Sequence, residues 1–128
     1  MSASLNKVML IGRLGNDVQL HKFDDGNSIA NFSLATSEYY KSKEDGKKVE
    51  KTEWHKITAK NRLAEICDKY LKKGNLIYLE GKLHTNKWED KGLTKYSTEI
   101  IAGKIEFLNT KNIENAPEWV ISEEDLPY

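Results

Sequence analysis

The stretch that decides the fold runs Thr52-Glu53-Trp54-His55-Lys56-Ile57-Thr58-Ala59-Lys60 and continues without a break as Asn61-Arg62-Leu63-Ala64-Glu65-Ile66-Cys67-Asp68-Lys69-Tyr70-Leu71-Lys72-Lys73-Gly74. Its first nine residues alternate, placing Trp54, Lys56, Thr58 and Lys60 on one face of a strand and His55, Ile57 and Ala59 on the other. The continuation changes period. Leu63, Ile66, Cys67, Tyr70 and Leu71 recur at the spacing that gathers side chains on one face of a helix. Asn61 is the expected N-cap, and Gly74, after Lys72-Lys73, the expected C-terminal stop. One strand therefore feeds directly into one short helix.

Upstream, Asn6 to Leu14 is an apolar, strand-like run closed by Gly15-Asn16-Asp17. Asp24-Asp25-Gly26-Asn27 is a turn cluster, after which Ser28 to Thr36 sets Ala30, Phe32 and Leu34 against Asn31 and Ser33 with period two. A long hairpin then projects through Tyr39-Tyr40, turns at Glu44 to Lys48, and returns from about Val49 to Lys60. Downstream, Asn75 to Leu83 reads as a strand, followed by His84 to Asp90, a Lys91-Gly92 turn and Lys95 to Leu108. Three strands, a helix and two strands predict an all-β chain with one short helix, the five-stranded Greek-key barrel of the OB-fold, partly open and with a projecting hairpin. The length of 128 residues suits one such domain. From Asn109 apolar residues thin out and Ala116-Pro117 breaks any continuing strand. Residues 1–110 are expected to form the barrel domain and 111–128 a short flexible acidic tail.

Charge divides along the same boundary. The chain holds 20 Lys plus Arg against 20 Asp plus Glu. All the basic residues and 15 of the acidic ones fall in the first 112 positions, whereas Glu114, Glu118, Glu123, Glu124 and Asp125 lie in the last 16 with no base. Formal neutrality is thus a basic body cancelled by an acidic tail. Several classes drop out. The early apolar run Val8 to Ile11 is far shorter than a membrane span or a signal-peptide core, so a soluble, cytoplasmic protein is expected. Cys67 has no disulfide partner, and with His21, His55 and His84 it offers no metal-ligand spacing. Gly12-Arg13-Leu14-Gly15 and Gly81-Lys82-Leu83 complete no phosphate-binding loop, and the carboxylates form no paired constellation. The chain reads as a binding protein, not an enzyme, with no cofactor and no metal.

What it binds is suggested by where its aromatics fall. A Trp among lysines on the polar side of a strand is poorly explained by core packing. The same alternation groups Lys82, His84, Asn86 and Trp88, with Lys87 adjacent, and Tyr39 and Tyr40 neighbour Lys41 and Lys43. Flat faces for unstacked bases, interleaved with cations for phosphates, suit single-stranded nucleic acid. Lysine supplies every basic residue except Arg13 and Arg62, so bidentate reading of base edges is not expected to dominate, and binding should show little sequence preference. His55 points away from Trp54 and suits a structural or subunit contact.

At these residues the chain resembles the bacterial single-stranded DNA-binding protein family. The likeness runs from Asn6-Lys7-Val8 to Phe107-Leu108. It includes Leu10-Ile11-Gly12, Ala30-Asn31-Phe32-Ser33-Leu34-Ala35-Thr36, Thr52-Glu53-Trp54-His55, Tyr70-Leu71-Lys72-Lys73-Gly74, Leu79-Glu80-Gly81, Lys87-Trp88 and Tyr96-Ser97-Thr98-Glu99-Ile100. The resemblance implies an OB-fold subunit of a bacterial, nucleoid-associated homotetramer that wraps single-stranded DNA in replication, recombination and repair. The family's stacking aromatics fall on Tyr40, Trp54 and Trp88, with Tyr where Trp is usual at the first. Its basic contacts fall on Lys43, Arg62, Lys73 and Lys87, with Lys7 and Arg13 nearby on the first strand. Its interface histidine falls on His55. Lys60 stands where the family commonly has a stacking Phe, which implies a phosphate contact in place of a base platform and a steeper salt dependence.

The end of the chain, Glu123-Glu124-Asp125-Leu126-Pro127-Tyr128, looks like the family's acidic tip. Three acids, a terminal carboxylate and an apolar end suit a pocket ringed by Lys or Arg on a partner protein, whereas a mere solubiliser has no need of Leu126-Pro127-Tyr128. Two alternatives accompany the main reading: an OB-fold subunit of primosomal type whose task is protein assembly, and an RNA-binding OB protein.

Overall fold

The computed structural model describes residues 3–108. Strand β1 spans Val8–Leu14, β2 Gln19–Lys22, β3 Ser28–Lys41, β4 Lys48–Lys60, β5 Leu76–Asp90 and β6 Leu93–Phe107, with helix α1 at Asn61–Tyr70 between β4 and β5. The strands are ordered β1-β5-β6-β4-β3-β2. Pairing of β1 with β3 at Arg13↔Ala35 and Leu14↔Leu34 closes β1, β3, β4, β5 and β6 into a barrel. All neighbours are antiparallel except β4 and β6, whose parallel contact is confined to Ile57↔Ile100 and Thr58↔Ile101. The five strands with one helix are the OB topology expected from the element order, but the barrel is closed by the β1–β3 pairing where the sequence suggested a partly open one.

Alternation accounts for the core. Along β3, Ala30, Phe32 and Leu34 are buried while Asn31, Ser33 and Ala35 face outward. Ile57 and Ala59 from β4, Ile77 and Leu79 from β5, and Ile100, Ala102, Ile105 and Phe107 from β6 meet them inside. The helix covers β3 and β4 with Ala64 and Cys67, and Leu71 just beyond its end is buried in the same core. Burial pushes the Cys67 thiol up to about 12, so it is neutral and inert at physiological pH. At Gly12 a Cβ would lie 2.3 Å from the Ala35 carbonyl oxygen. Closure of the barrel beside this point leaves no room for a side chain.

Four features depart from the sequence reading. The four-residue β2, paired with β3 through Gln19↔Asn31 to Lys22↔Ser28, was not expected, because Leu20 is its sole aliphatic residue. The break at Leu83 is absent: β5 runs on to Asp90 as one arm of a second projecting hairpin, while β3 runs through Thr36 to Lys41 as the arm of the hairpin expected there. Asn61 is not a capping residue. It takes a positive φ of 53°, and its Oδ1 accepts the Ser28 N–H at 3.1 Å while its carbonyl accepts the Ser28 hydroxyl at 3.3 Å, so it ties the β4–α1 junction to β3. Gly74 does not end the helix. The Leu71 N–H on the Cys67 carbonyl does so, and the Gly74 N–H donates to the Leu14 carbonyl at 2.8 Å in the following turn.

Among the described residues no helix is long and apolar enough to cross a membrane. The tail from 109 onward, including Glu123, Glu124, Asp125, Leu126, Pro127 and Tyr128, lies outside the described residues, as does the end of the expected 1–110 domain boundary.

Candidate nucleic-acid interface

Register decides which side chains share a face. Trp54 is opposite Ala35, Lys56 opposite Ser33, Thr58 opposite Asn31 and Lys60 opposite Ile29, all on the outward side of β3–β4. Thr58 also pairs with Ile101 of β6, and Ile101 with Lys82 of β5. Lys82, His84, Asn86 and Trp88 therefore continue the outward face carrying Trp54. The two tryptophans, 62% and 45% exposed, lie on one continuous face although 34 positions apart. Burying a tryptophan is strongly favourable, and exposure of both shows that the core does not need them.

Trp54 is nonetheless held. A Cβ on Gly15 would come within 2.2 Å of its Cζ3 and 3.0 Å of its Cη2, so the six-membered ring rests directly on the glycine backbone. The Gly15 N–H donates to the Ser33 carbonyl at 2.9 Å, which fixes the support. Gly15→Ala is expected to tilt the indole off its seat. Intrinsic Trp fluorescence should shift and single-strand affinity should fall by about 1 kcal/mol, the lower end of a stacking contribution. Unchanged emission and unchanged affinity would show the seat to be irrelevant.

Beside Trp54 lies a polar network. Thr58 is buried, its Oγ1 2.9 Å from Asn31 Oδ1 and 3.1 Å from Glu99 Oε2. Lys56 Nζ sits 4.0 Å from the same carboxylate. A half-open ion pair of this kind contributes under about 1 kcal/mol, but it covers a carboxylate that would otherwise repel an approaching phosphate.

The other expected positions are dispersed. Tyr40 is 54% exposed but pairs with Val49 on the opposite side of the β3–β4 arm from Trp54. Its neighbour Tyr39, opposite Glu50, is the tyrosine that shares the face of Trp54, and Lys48 Nζ lies 4.1 Å from its ring centroid. Lys43 is at the tip of that arm. Lys87 sits over the ring of Tyr96 at 5.9 Å, and this aromatic, 63% exposed, was not singled out in the sequence. Lys60 and Arg62 are exposed at the β4–α1 junction. Lys73 is exposed in the turn beyond the helix, where its N–H donates to Asp17 Oδ1 at 2.9 Å. Arg13 donates through Nη1 to the Gly74 carbonyl at 3.0 Å, and Lys7 pairs with Glu80 at 3.8 Å. His55 is half-buried, its Nε2 2.9 Å from Thr36 Oγ1.

Glu80 also accepts the Tyr78 hydroxyl at 2.5 Å, which holds its carboxyl below the usual range and pushes the phenol up to about 12. No group of three His, Cys, Asp or Glu among the described residues could hold a metal ion.

An OB barrel whose outer face carries exposed aromatics set among lysines defines a protein built to bind extended chains with flat groups and anionic linkages. Residues 5–108 match the profile of the Single-strand binding protein family, and the chain belongs to that family. It is 48% identical over 114 residues to "Single-stranded DNA-binding protein 1" of Chlorobaculum tepidum, an overlap of 88% of this chain and 70% of that protein. Among solved structures, one of a Plasmodium falciparum SSB complex with ssDNA superposes with a TM-score of 0.75 at 38% identity, covering 85% of this chain and 99% of that one. A deletion mutant of the single-stranded DNA binding protein from Thermus aquaticus superposes at 0.71 with 31% identity. That match covers 84% of this chain and about half, 52%, of the Thermus protein.

Proposed function

We propose that this protein binds single-stranded DNA with little sequence preference, protecting exposed strands during replication, recombination and repair. The observation that carries the reading is the single outward face shared by Trp54, Lys56, Lys60 and Trp88, in a chain 38% identical to a subunit solved with such a strand. Bases stack on the indoles and phosphates run between lysines. Lys43, Arg62, Lys73 and Lys87 extend the path along the arms and past the helix, Tyr40 is reached on the far side of the β3–β4 arm, and Arg13 and Lys7 lie at its margins. The protein carries out no chemistry on the strand and requires no cofactor.

The subunit is proposed to act as a homotetramer in the bacterial cytoplasm. Support comes from β1, where Met9 and Ile11 are exposed side by side on a strand joined to β3 only at Arg13 and Leu14. His55 lies near a subunit contact, and the acidic tip Glu123 to Tyr128 recruits partner proteins.

Titration with oligo(dT) tests this directly. Quenching of the exposed tryptophans is expected at stoichiometric oligonucleotide, with little response to a duplex of equal length. Equal quenching by duplex, or none by oligo(dT), would sink the reading. Light scattering in the same titration reads the tetramer.

A further inference from the structure

A cavity of about 300 Å³ opens beside Trp54, lined by Asn16, Gln19, Asn31, Ser33 and Lys56 as well as the indole. Gln19, Asn31 and Thr58 are aligned across three strands, and Ser33 and Lys56 form the next outward pair toward Trp54. Successive outward pairs are about 7 Å apart along a strand. A base stacked against the indole would therefore present its edge to these side chains.

Asn16 is the group whose orientation is settled. Its Oδ1 accepts the Ser33 backbone N–H at 2.9 Å and the Ser33 hydroxyl at 3.1 Å. Because a backbone N–H can only donate, the atom facing it is the oxygen, and the amide cannot be read the other way round. Among the described residues the Nδ2 hydrogens have no partner, and Asn16 is exposed at the mouth of the cavity. A donor locked in place, next to a ring seated on Gly15, has already lost the freedom that a flexible side chain would lose on binding.

We propose that Asn16 is a base-edge contact, donating from Nδ2 to a keto oxygen of the one base seated beside Trp54, with thymine as the ligand chemistry it fits. The inference rests on the single-strand reading above and deepens it. Most of the bound strand is held without regard to sequence, and one position prefers an acceptor on the base edge. Lysines elsewhere on the face contact phosphate. Asn16, neutral and directed by Ser33, contributes little to that charge.

The test is a double-mutant cycle between protein and DNA. Wild-type protein and Asn16→Ala are titrated with oligo(dT) and with the same oligomer carrying difluorotoluene, a shape mimic of thymine that stacks without strong hydrogen bonding. Wild type is expected to lose roughly 2- to 10-fold in affinity with the mimic, the range of one hydrogen bond, and Asn16→Ala to lose markedly less. Asn16→Asp keeps the acceptor for Ser33 and lacks the donor, so it should also show a reduced mimic effect even if the alanine variant loosens the turn. Equal mimic penalties in all three proteins would overturn the contact while leaving single-strand binding standing. Failure of wild type to bind either oligomer would overturn both.

Discussion

Replacing Trp54 and Trp88 together with alanine is expected to weaken oligo(dT) binding at least roughly 30-fold. In proteins that bind single strands through such platforms, stacking is worth about 1 to 3 kcal/mol per base, so two independent platforms contribute about 2 to 6 kcal/mol, at about 1.4 kcal/mol per tenfold. The two indoles stand on different hairpins, which favours additivity. Fold stability should change little, because both rings are largely in solvent. The salt dependence separates this loss from an electrostatic one. Each phosphate neutralised on a single strand adds a slope of about −0.7 in log affinity against log salt, and removing an indole neutralises none. Plots for wild type and the double variant should run parallel. Retained affinity would favour the primosomal-type reading, in which protein assembly is the main task.

The second large effect concerns stability. Phe107 is fully buried at the end of β6, paired with Ile77 and followed by the buried Leu108. Phe107→Ala removes an aromatic ring from a closed barrel whose walls cannot collapse around the gap, and such truncations cost about 3 to 5 kcal/mol. Domains of this size have a total stability of about 5 to 15 kcal/mol. Urea unfolding followed by far-ultraviolet circular dichroism should therefore show a much lower midpoint with an unchanged slope. A loss under about 1 kcal/mol would mean that the ring does not occupy the core.

These two results test different layers of the molecule. The core residues are the ones alternation identifies, whereas the binding face depends on alternation combined with register. Residues 52–71 illustrate the difference. Their change from period two to helical period was visible in the chain and located α1 between β4 and β5. The alternation also sorted Trp54 from Ile57 correctly, since solvent and core impose opposite chemistry on adjacent residues.

Sidedness between distant strands was not legible in the same way. Tyr39 and Tyr40 are adjacent tyrosines, and only the pairing of Glu50 with Tyr39 and Val49 with Tyr40 shows which one shares the face of Trp54. Strand β2 leaves no signal in the sequence because its four largely polar residues carry too little hydrophobic pattern. Asn61 looked like a cap because its residue type suits one, but the Ser28 N–H and hydroxyl bind it first.

By itself the sequence determined the five barrel strands and the one helix, the alternating core positions, the basic body with its acidic tail, and the presence of tryptophans where a core has no use for them. Those properties are local: they depend on which residue types follow one another along the chain. The tertiary structure alone decided that Trp54 rests on Gly15, that Thr58 and Lys56 meet Glu99, and that Ser33 locks Asn16 through its amide oxygen. Each is a contact between segments far apart in the chain, set by barrel closure and strand register, and no period in the sequence encodes it.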